Sequence, residues 1–288
     1  MAFAAIVGAG DLGGAVAHRL ARLDCVGEIR LVDDAADVAA GKALDLRPSA
    51  AVDGFVTRLV ATADPRAAAG AAVVVIADAA GPPAAEWQGE AALALVERLW
   101  RLVEADRSVL VCAGASHRWL VERAVRELGV DRRRIVGSAP AALESAAQAL
   151  VGAAADVAPA RVAVRVLGVP PDGMVVAWSQ AAVGGVAASA RLAPERLRAL
   201  DRQIAAAWPP GPAALGAAAA RVAAALVVGS RREHTCFVAV ERPSGGLGPV
   251  LALPARLEPD GVREAALPPL STHEQVRLEN ALASLAAR

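Results

Sequence analysis

The feature that most constrains this chain is a glycine-rich turn between a strand and a helix at its N terminus. The apolar run Phe3–Val7 leads into Gly8-Ala9-Gly10-Asp11-Leu12-Gly13, and a helical pattern continues to Leu23. In such a turn the first glycine permits a tight bend, the second lets backbone approach a ligand, and the third lets helix pack on strand. Free N–H groups at the helix start attract an anion such as a pyrophosphate. The segment therefore predicts a dinucleotide-binding βαβ unit.

An acidic residue after the second strand strengthens this prediction. The predicted strand Glu28–Val32 leads into Asp33, twenty residues past Gly13. A carboxylate there accepts hydrogen bonds from ribose hydroxyls and repels a 2′-phosphate, which favours NAD over NADP. Asp34 is a neighbouring candidate that is less well aligned with the strand end, and the alternative is a glycine turn that binds no ligand. The expected cofactor residues are Gly8, Gly10, Asp11, Leu12, Gly13 and Asp33.

The pattern along the chain predicts an α/β fold in two parts. Up to about residue 140, short apolar strands alternate with amphipathic helices, which is typical of a Rossmann-type doubly wound parallel sheet. Beyond it, Arg161–Leu167 and Met174–Ala182 predict an antiparallel pair, and helices and further strands follow. We therefore expect a dinucleotide-binding domain over residues 1–140 and an α+β domain over residues 141–288.

Composition excludes several classes of function. Thirty basic residues balance thirty acidic ones, so no net field favours nucleic acid or an anionic membrane. Cys25, Cys112 and Cys236 lie far apart and form neither a disulfide framework nor a metal-ligand spacing. No apolar run reaches about 18 residues without a charge or a proline. We expect a soluble cytoplasmic protein without a metal.

With the glycine turn and strand order placed, the chain resembles the lactate/malate dehydrogenase family over nearly its whole length. The resemblance implies NAD as cofactor, a small-molecule substrate and a homo-oligomer, either a dimer or a tetramer. The segments that carry it are Gly8–Gly13, Leu31-Val32-Asp33, Gly41-Lys42-Ala43-Leu44-Asp45-Leu46, Ala72–Ile76, Arg134–Ser138, Leu143-Glu144-Ser145-Ala146, and Gly168 with Asp172-Gly173-Met174.

The residues that the family uses for chemistry are replaced in this chain. The resemblance places Pro170 where the proton-exchanging histidine belongs, Glu144 at the orienting aspartate, and Ala147 at the arginine that grips the substrate carboxylate. The mobile-loop segment, residues 81–89, contains no arginine, and Ala113-Gly114 replaces the family's Asn-Pro. Loss of a positioned general acid/base alone costs on the order of 10²–10⁴ in rate.

Two hypotheses about function follow from these replacements. The first is a dinucleotide-binding protein without the usual 2-hydroxy acid chemistry, a pseudoenzyme that acts as a regulatory or scaffolding partner, for example of an active paralogue. The second is an NAD-dependent oxidoreductase with an unusual substrate and a different catalytic set. The candidate proton carriers are Glu144, if an apolar pocket raises its pKa, and His117, which follows the fifth strand. Both residues also fit purely structural roles.

Overall fold

The computed structural model describes residues 2–81, 86–241 and 246–286, with the side chains of residues 285 and 286 left out. Its helices are α1 Asp11–Leu23, α2 Ala36–Leu46, α3 Ala50–Asp53, α4 Gly89–Val103, α5 Arg118–Glu127, α6 Ala139–Ala155, α7 Ala188–Arg191, α8 Pro194–Ala206, α9 Pro212–Val228 and α10 Thr272–Ala286. Its strands are β1 Phe3–Val7, β2 Glu28–Val32, β3 Arg58–Thr62, β4 Val73–Ile76, β5 Val109–Cys112, β6 Ile135–Gly137, β7 Val162–Ala163, β8 Val166–Val169, β9 Gly173–Val176, β10 Ala182–Val183, β11 Val186–Ala187, β12 Glu233–Glu241, β13 Leu247–Glu258 and β14 Gly261–Ala265.

The first part of the chain forms a doubly wound parallel sheet. Its six strands lie in the order β3-β2-β1-β4-β5-β6, and every neighbouring pair is parallel. The order reverses between β1 and β4, which are adjacent although they are far apart in sequence. In folds of this kind the crevice at the carboxyl ends of those two strands is where ligands bind. The predicted fold class is confirmed.

Most strands of the second part of the chain extend this sheet, and three short ones, β7, β10 and β11, form a second sheet. Strand β12 is antiparallel to β6, β13 is antiparallel to β12, and β8 and β9 complete the edge. The predicted antiparallel pair is present but shorter, because Val162-Ala163 pairs with β10 in a small second sheet and only Val166–Val169 pairs with β9. The parallel strands end at Gly137. The boundary at residue 140 stays a prediction.

Two apolar clusters hold the described residues together. The larger covers both faces of the parallel sheet, and it includes residues of α9, β12 and β13. The smaller lies between α6, β8 and α8, around Leu143, Val166 and Leu200. Helix α9 therefore belongs to the core of the parallel sheet, against α1, where Gly216 leaves room for the backbone at Ala15. Within the described ranges, no helix has the length and apolarity needed to span a membrane.

Candidate functional site

The glycine turn has the backbone geometry that its sequence predicts. Gly8 follows β1 with a positive φ of 105°, a conformation that favours glycine. Its N–H donates to the carbonyl of Val32 at 2.8 Å, which ties the turn to the end of β2. A Cβ atom on Gly13 would collide with the carbonyl oxygen of Gly8. The loop and the first turn of α1 therefore pack as closely as a dinucleotide site requires.

Asp33 lies at the end of β2, the position that the sequence predicts, and it is buried. Its carboxylate accepts hydrogen bonds from three backbone N–H groups of the chain. Oδ2 accepts hydrogen bonds from the N–H groups of Ala9 and Ala80, each at 2.8 Å. Oδ1 accepts one from Ala35 at 2.9 Å. The side chain thus joins the glycine turn to the segment after β4, whereas Asp34 is exposed. Its contact with a ribose stays a prediction.

Asp78 is a site residue that the sequence reasoning missed. It follows β4, is buried, and grips the N terminus of α1: its Oδ1 accepts from the N–H of Gly13 at 2.8 Å and its Oδ2 from that of Leu12 at 3.0 Å. Its carbonyl oxygen accepts from the N–H of Gly10 at 3.2 Å. Burial raises the pKa of this carboxyl, and the bonds from Gly13 and Leu12 oppose the rise. The sequence shows an acid two residues after the wholly apolar strand β4, but it does not show which groups that acid contacts.

A third carboxylate, that of Glu86, is hydrogen-bonded to the segment that follows β5. It accepts from the N–H of Ala115 at 2.7 Å and from the N–H and Oγ of Ser116 at 2.9 and 2.6 Å. Burial works to raise its pKa, but these bonds and the nearby His117 outweigh burial and lower it. Glu86 lies in the loop that the resemblance describes as mobile, of which residues 82–85 lie outside the described residues.

His117, one candidate proton carrier, is packed inside the protein. Its ring is fully buried, and its Nδ1 accepts from the N–H of Gly114 at 3.0 Å. Nε2 has no hydrogen-bond partner among the described residues. Burial lowers the pKa of the imidazole, although the carboxylate of Glu86 works against this. The ring is therefore held neutral in a closed environment.

Glu144, the other candidate, lies on α6 at a cavity of about 400 Å³. Its Oε1 accepts from the N–H of Val166 at 3.3 Å, and its Oε2 lies 3.5 Å from Nη1 of Arg165. Burial raises the pKa of Glu144 to about 7, against the opposing charge of Arg165. The same cavity is lined by Arg19, Arg221, Arg232 and His234. Burial and the positive charges of Arg221, Arg165 and Arg232 lower the pKa of His234 to about 4.

Two of the positions that the resemblance aligns with the family's catalytic residues, Pro170 and Ala147, carry side chains that cannot exchange a proton or bind a carboxylate. Pro170 directly follows β8, and Ala147 is fully buried on α6. All four histidines of the chain lie within the described residues. His18 pairs with Asp53 at 2.9 Å, His273 is exposed at the start of α10, and none of the four lies in the segment between β8 and β9. Among the described residues, no cluster of histidine, cysteine or acidic side chains could hold a metal ion.

The predicted cofactor can be tested against these groups. The turn, the close packing of α1 and an acid at the end of β2 fit a dinucleotide. The phosphate position does not fit one as it stands, because the N–H groups of Leu12 and Gly13 that would meet a pyrophosphate already donate to Asp78. A dinucleotide fits only if the carboxylate of Asp78 leaves those groups.

Comparisons with known proteins agree with this arrangement of the backbone. Residues 4–118 match the model of the lactate/malate dehydrogenase NAD-binding domain. An L-lactate dehydrogenase from Allorhizobium ampelinum is 34% identical over 190 residues, which span 63% of this chain and only 59% of that relative. A malate dehydrogenase from Dehalococcoides mccartyi is 27% identical over 290 residues, which span 95% of this chain and 94% of the relative.

Solved structures of the same kind share the fold. A malate dehydrogenase from Salinibacter ruber superposes with a TM-score of 0.89 at 22% identity, covering 99% of this chain and 95% of that one. A lactate dehydrogenase from Cryptosporidium parvum, complexed with lactic acid and nicotinamide adenine dinucleotide, superposes with a TM-score of 0.86 at 20% identity, covering 99% and 96%. The domain match identifies the cofactor of the N-terminal part as NAD. Residues 4–118 are therefore similar to the NAD-binding domain of lactate/malate dehydrogenases, and the whole chain shares the fold of these enzymes.

Proposed function

We propose that this protein binds NAD(H) but does not interconvert 2-hydroxy and 2-oxo acids with the residues its family normally uses. The observation that carries the proposal is the placement of the histidines. That reaction needs a group that exchanges a proton with the substrate hydroxyl, and Pro170 stands at the end of β8 while the four histidines lie elsewhere. His117 does not replace the missing residue, because its buried ring is bonded to Gly114.

The missing arginine supports the same proposal. Binding of a 2-hydroxy acid relies on a forked, charge-assisted pair between guanidinium and carboxylate, which both orients and holds the substrate. Ala147 is fully buried on α6 and offers no such group. Two coordinated losses, one for proton exchange and one for orientation, are harder to compensate than either alone.

The test separates binding from turnover. We expect NADH to bind in a fluorescence titration, and we expect no measurable oxidation of malate or lactate with NAD by the same preparation. Turnover near one per second with either acid would overturn the proposal. The cofactor residues proposed for this binding are Gly8, Gly10, Asp11, Leu12, Gly13 and Asp33.

A second candidate function is oxidoreduction of a different substrate, and the cavity at Glu144 favours it. A buried carboxyl with a pKa of about 7 beside an arginine can hold or release a proton near neutral pH. The arginines that line the cavity fit an anionic substrate. If this candidate is right, Glu144→Gln abolishes turnover of the substrate found by screening, while Glu195→Gln retains it. Glu195 is the control, because it is an exposed carboxylate on α8 that does not line the cavity.

We also propose that the protein is a homo-oligomer. Four large apolar side chains between residues 38 and 56 face solvent: Val38, Leu44, Val52 and Val56, with Val52 and Val56 each 88% exposed. Exposed large apolar side chains concentrated in one short segment fit a surface that another protein chain covers. We expect Val52→Asp to shift the mass measured by light scattering toward the monomer, and Val228→Asp, an exposed valine elsewhere, to leave it unchanged. A wild-type monomer would contradict the proposal. The cytoplasmic location stays a prediction.

A further inference from the structure

The crevice between β1 and β4 holds two buried carboxylates. Asp33 joins Ala9 of the glycine turn to Ala80 of the segment after β4. Asp78 reaches from that same segment to the first turn of α1. Hydrogen bonds to these two carboxylates therefore connect the segment after β4 with the glycine turn and with the start of α1.

The contact of Asp78 reproduces the contact that a phosphate makes. A helix N terminus binds an anion through N–H groups with no partner in the helix, and two of these, on Leu12 and Gly13, donate to the two oxygens of one carboxylate. The glycines of the turn are shaped around the same residue. A Cβ atom on Gly10 would overlap the carboxylate of Asp78, and one on Gly8 would overlap its carbonyl oxygen.

We propose that Asp78 is an internal substitute for the pyrophosphate, and that it sets the dinucleotide affinity of the site by competing for the N–H groups of Leu12 and Gly13. The inference rests on the proposed binding of NAD(H) and deepens it. Binding requires the carboxylate to leave its two hydrogen bonds. While it stays ionised nearby, it also repels the incoming phosphates.

The negative charges around the site favour competition between the carboxylate of Asp78 and an incoming pyrophosphate. Asp11, in the first turn of α1, is a second negative group, and its charge adds to the effect of burial on the pKa of Asp78. Lys42, the only lysine of the chain, lies 3.7 Å from the carboxylate of Asp11 and partly offsets it. Asp33 faces the same crevice from β2. A doubly charged pyrophosphate would thus enter a region that already holds three carboxylates.

The experiment compares NADH binding by the full-length wild type and two variants at one pH and one ionic strength. Asp78→Asn keeps the size of the side chain and removes its charge, and Asp78→Ala also empties the space. We expect both to bind NADH at least tenfold more tightly than the wild type in calorimetric titrations. Inorganic pyrophosphate, used as a second probe, should show the same order. Thermal unfolding checks that each variant is folded.

Asp34→Asn is the charge control. It removes an exposed negative charge beside Asp33 at the end of β2, but it leaves the hydrogen bonds from Leu12 and Gly13 to Asp78 in place. We expect a gain of less than about threefold, since an exposed charge is screened. A gain equal to that of Asp78→Asn would show that local charge, and not occupation of the N–H groups, sets the affinity, and would overturn the inference.

The remaining outcomes separate this inference from the proposed function. If the wild type binds NADH and the folded Asp78 variants bind no more tightly, the inference is wrong and dinucleotide binding stands. If neither the wild type nor any Asp78 variant binds NADH at millimolar concentration, both are wrong.

Discussion

The glycine turn and the region around α6 and β8 differ in the kind of group that would make the family's interactions. At the glycine turn the family's interactions come mainly from backbone, and the strand, the bend and the helix start are all in place. Around α6 and β8 they come from side chains, and Pro170 and Ala147 supply neither a proton carrier nor a guanidinium. A backbone site is retained as long as the fold and a few glycines are. A site made of side chains depends on single residues, so the proposed loss of chemistry needs only a few substitutions and leaves the fold unchanged.

The largest expected effect tests whether the turn depends on its backbone. Gly13→Ala should lower the free energy of unfolding by about 3–5 kcal/mol, because its Cβ would collide with the carbonyl oxygen of Gly8, which belongs to a closely packed turn. Gly41→Ala on α2 is the matched control. Its Cβ would meet no atom within 4 Å, so a change within about 1 kcal/mol, with stabilisation favoured, is expected in chemical denaturation. Similar losses in both variants would contradict the packing described for the turn.

What the sequence could predict follows from the range of the interactions involved. The glycine turn, the strand before it and Asp33 are encoded within about 35 residues, and the parallel sheet follows from local alternation of strands and helices. The fold and the resemblance of residues 4–118 to an NAD-binding domain are confirmed. The contacts of Asp78 connect residues 65 and 66 positions apart, so no local pattern announces them.

The region around α6 also depends on contacts between residues far apart in the sequence, which local patterns do not predict. Glu144 was identifiable as a candidate only through the resemblance, and its burial depends on β8 and β12, which lie far along the chain. The predicted strand Arg161–Leu167 splits because Val162 and Val166 pair with different sheets, a choice that alternation of apolar residues cannot make. Sequence patterns thus predicted the strands, helices and glycine turn, but not the hydrogen bonds and the burial of the acidic side chains among them.

The second prediction concerns the pH dependence of stability at α6. The pKa of Glu144 is about 7 in the folded protein and near 4.5 in the unfolded chain, so its contribution is fully present below pH 4.5 and is lost as the pH rises through 7. Glu144→Gln has no such dependence. Relative to the variant, the wild type should lose up to about 3 kcal/mol between pH 4.5 and pH 8 in urea denaturation.

The matching control is Glu233→Gln, which removes an exposed carboxylate on the same arginine. Its stability should follow that of the wild type across the same pH range, within about 1 kcal/mol. Parallel curves for wild type and Glu144→Gln would mean that Glu144 titrates normally, and the second candidate function would lose its proton carrier.

The third prediction tests how much the hydrogen bonds of Glu86 to Ala115 and Ser116 stabilise the fold. Glu86→Gln keeps one acceptor oxygen but loses the charge that strengthens the bonds from Ala115 and Ser116, which should cost about 2 kcal/mol of unfolding free energy. Glu90→Gln, an exposed residue paired with Arg123, should cost less than about 1 kcal/mol. Equal costs would show that Glu86 makes only a surface contact.

The last prediction sets the two acids of the crevice against each other. Asp33→Ala should weaken NADH binding about tenfold, or about 1.4 kcal/mol, because it removes the acceptor proposed for the ribose and the bonds that order Ala9 and Ala80. Asp34→Ala, its exposed neighbour, should leave the Kd within about twofold. Loss of either carboxylate lessens the negative charge of the crevice, so a purely electrostatic effect would tighten binding in Asp33→Ala and in Asp78→Asn alike. Weaker binding in Asp33→Ala together with tighter binding in Asp78→Asn requires that Asp33 contributes to binding NADH and that Asp78 occupies the position of its phosphates. Tighter binding in both would mean that the crevice responds to total charge, and that the backbone of the turn does not by itself preserve the binding geometry of the family.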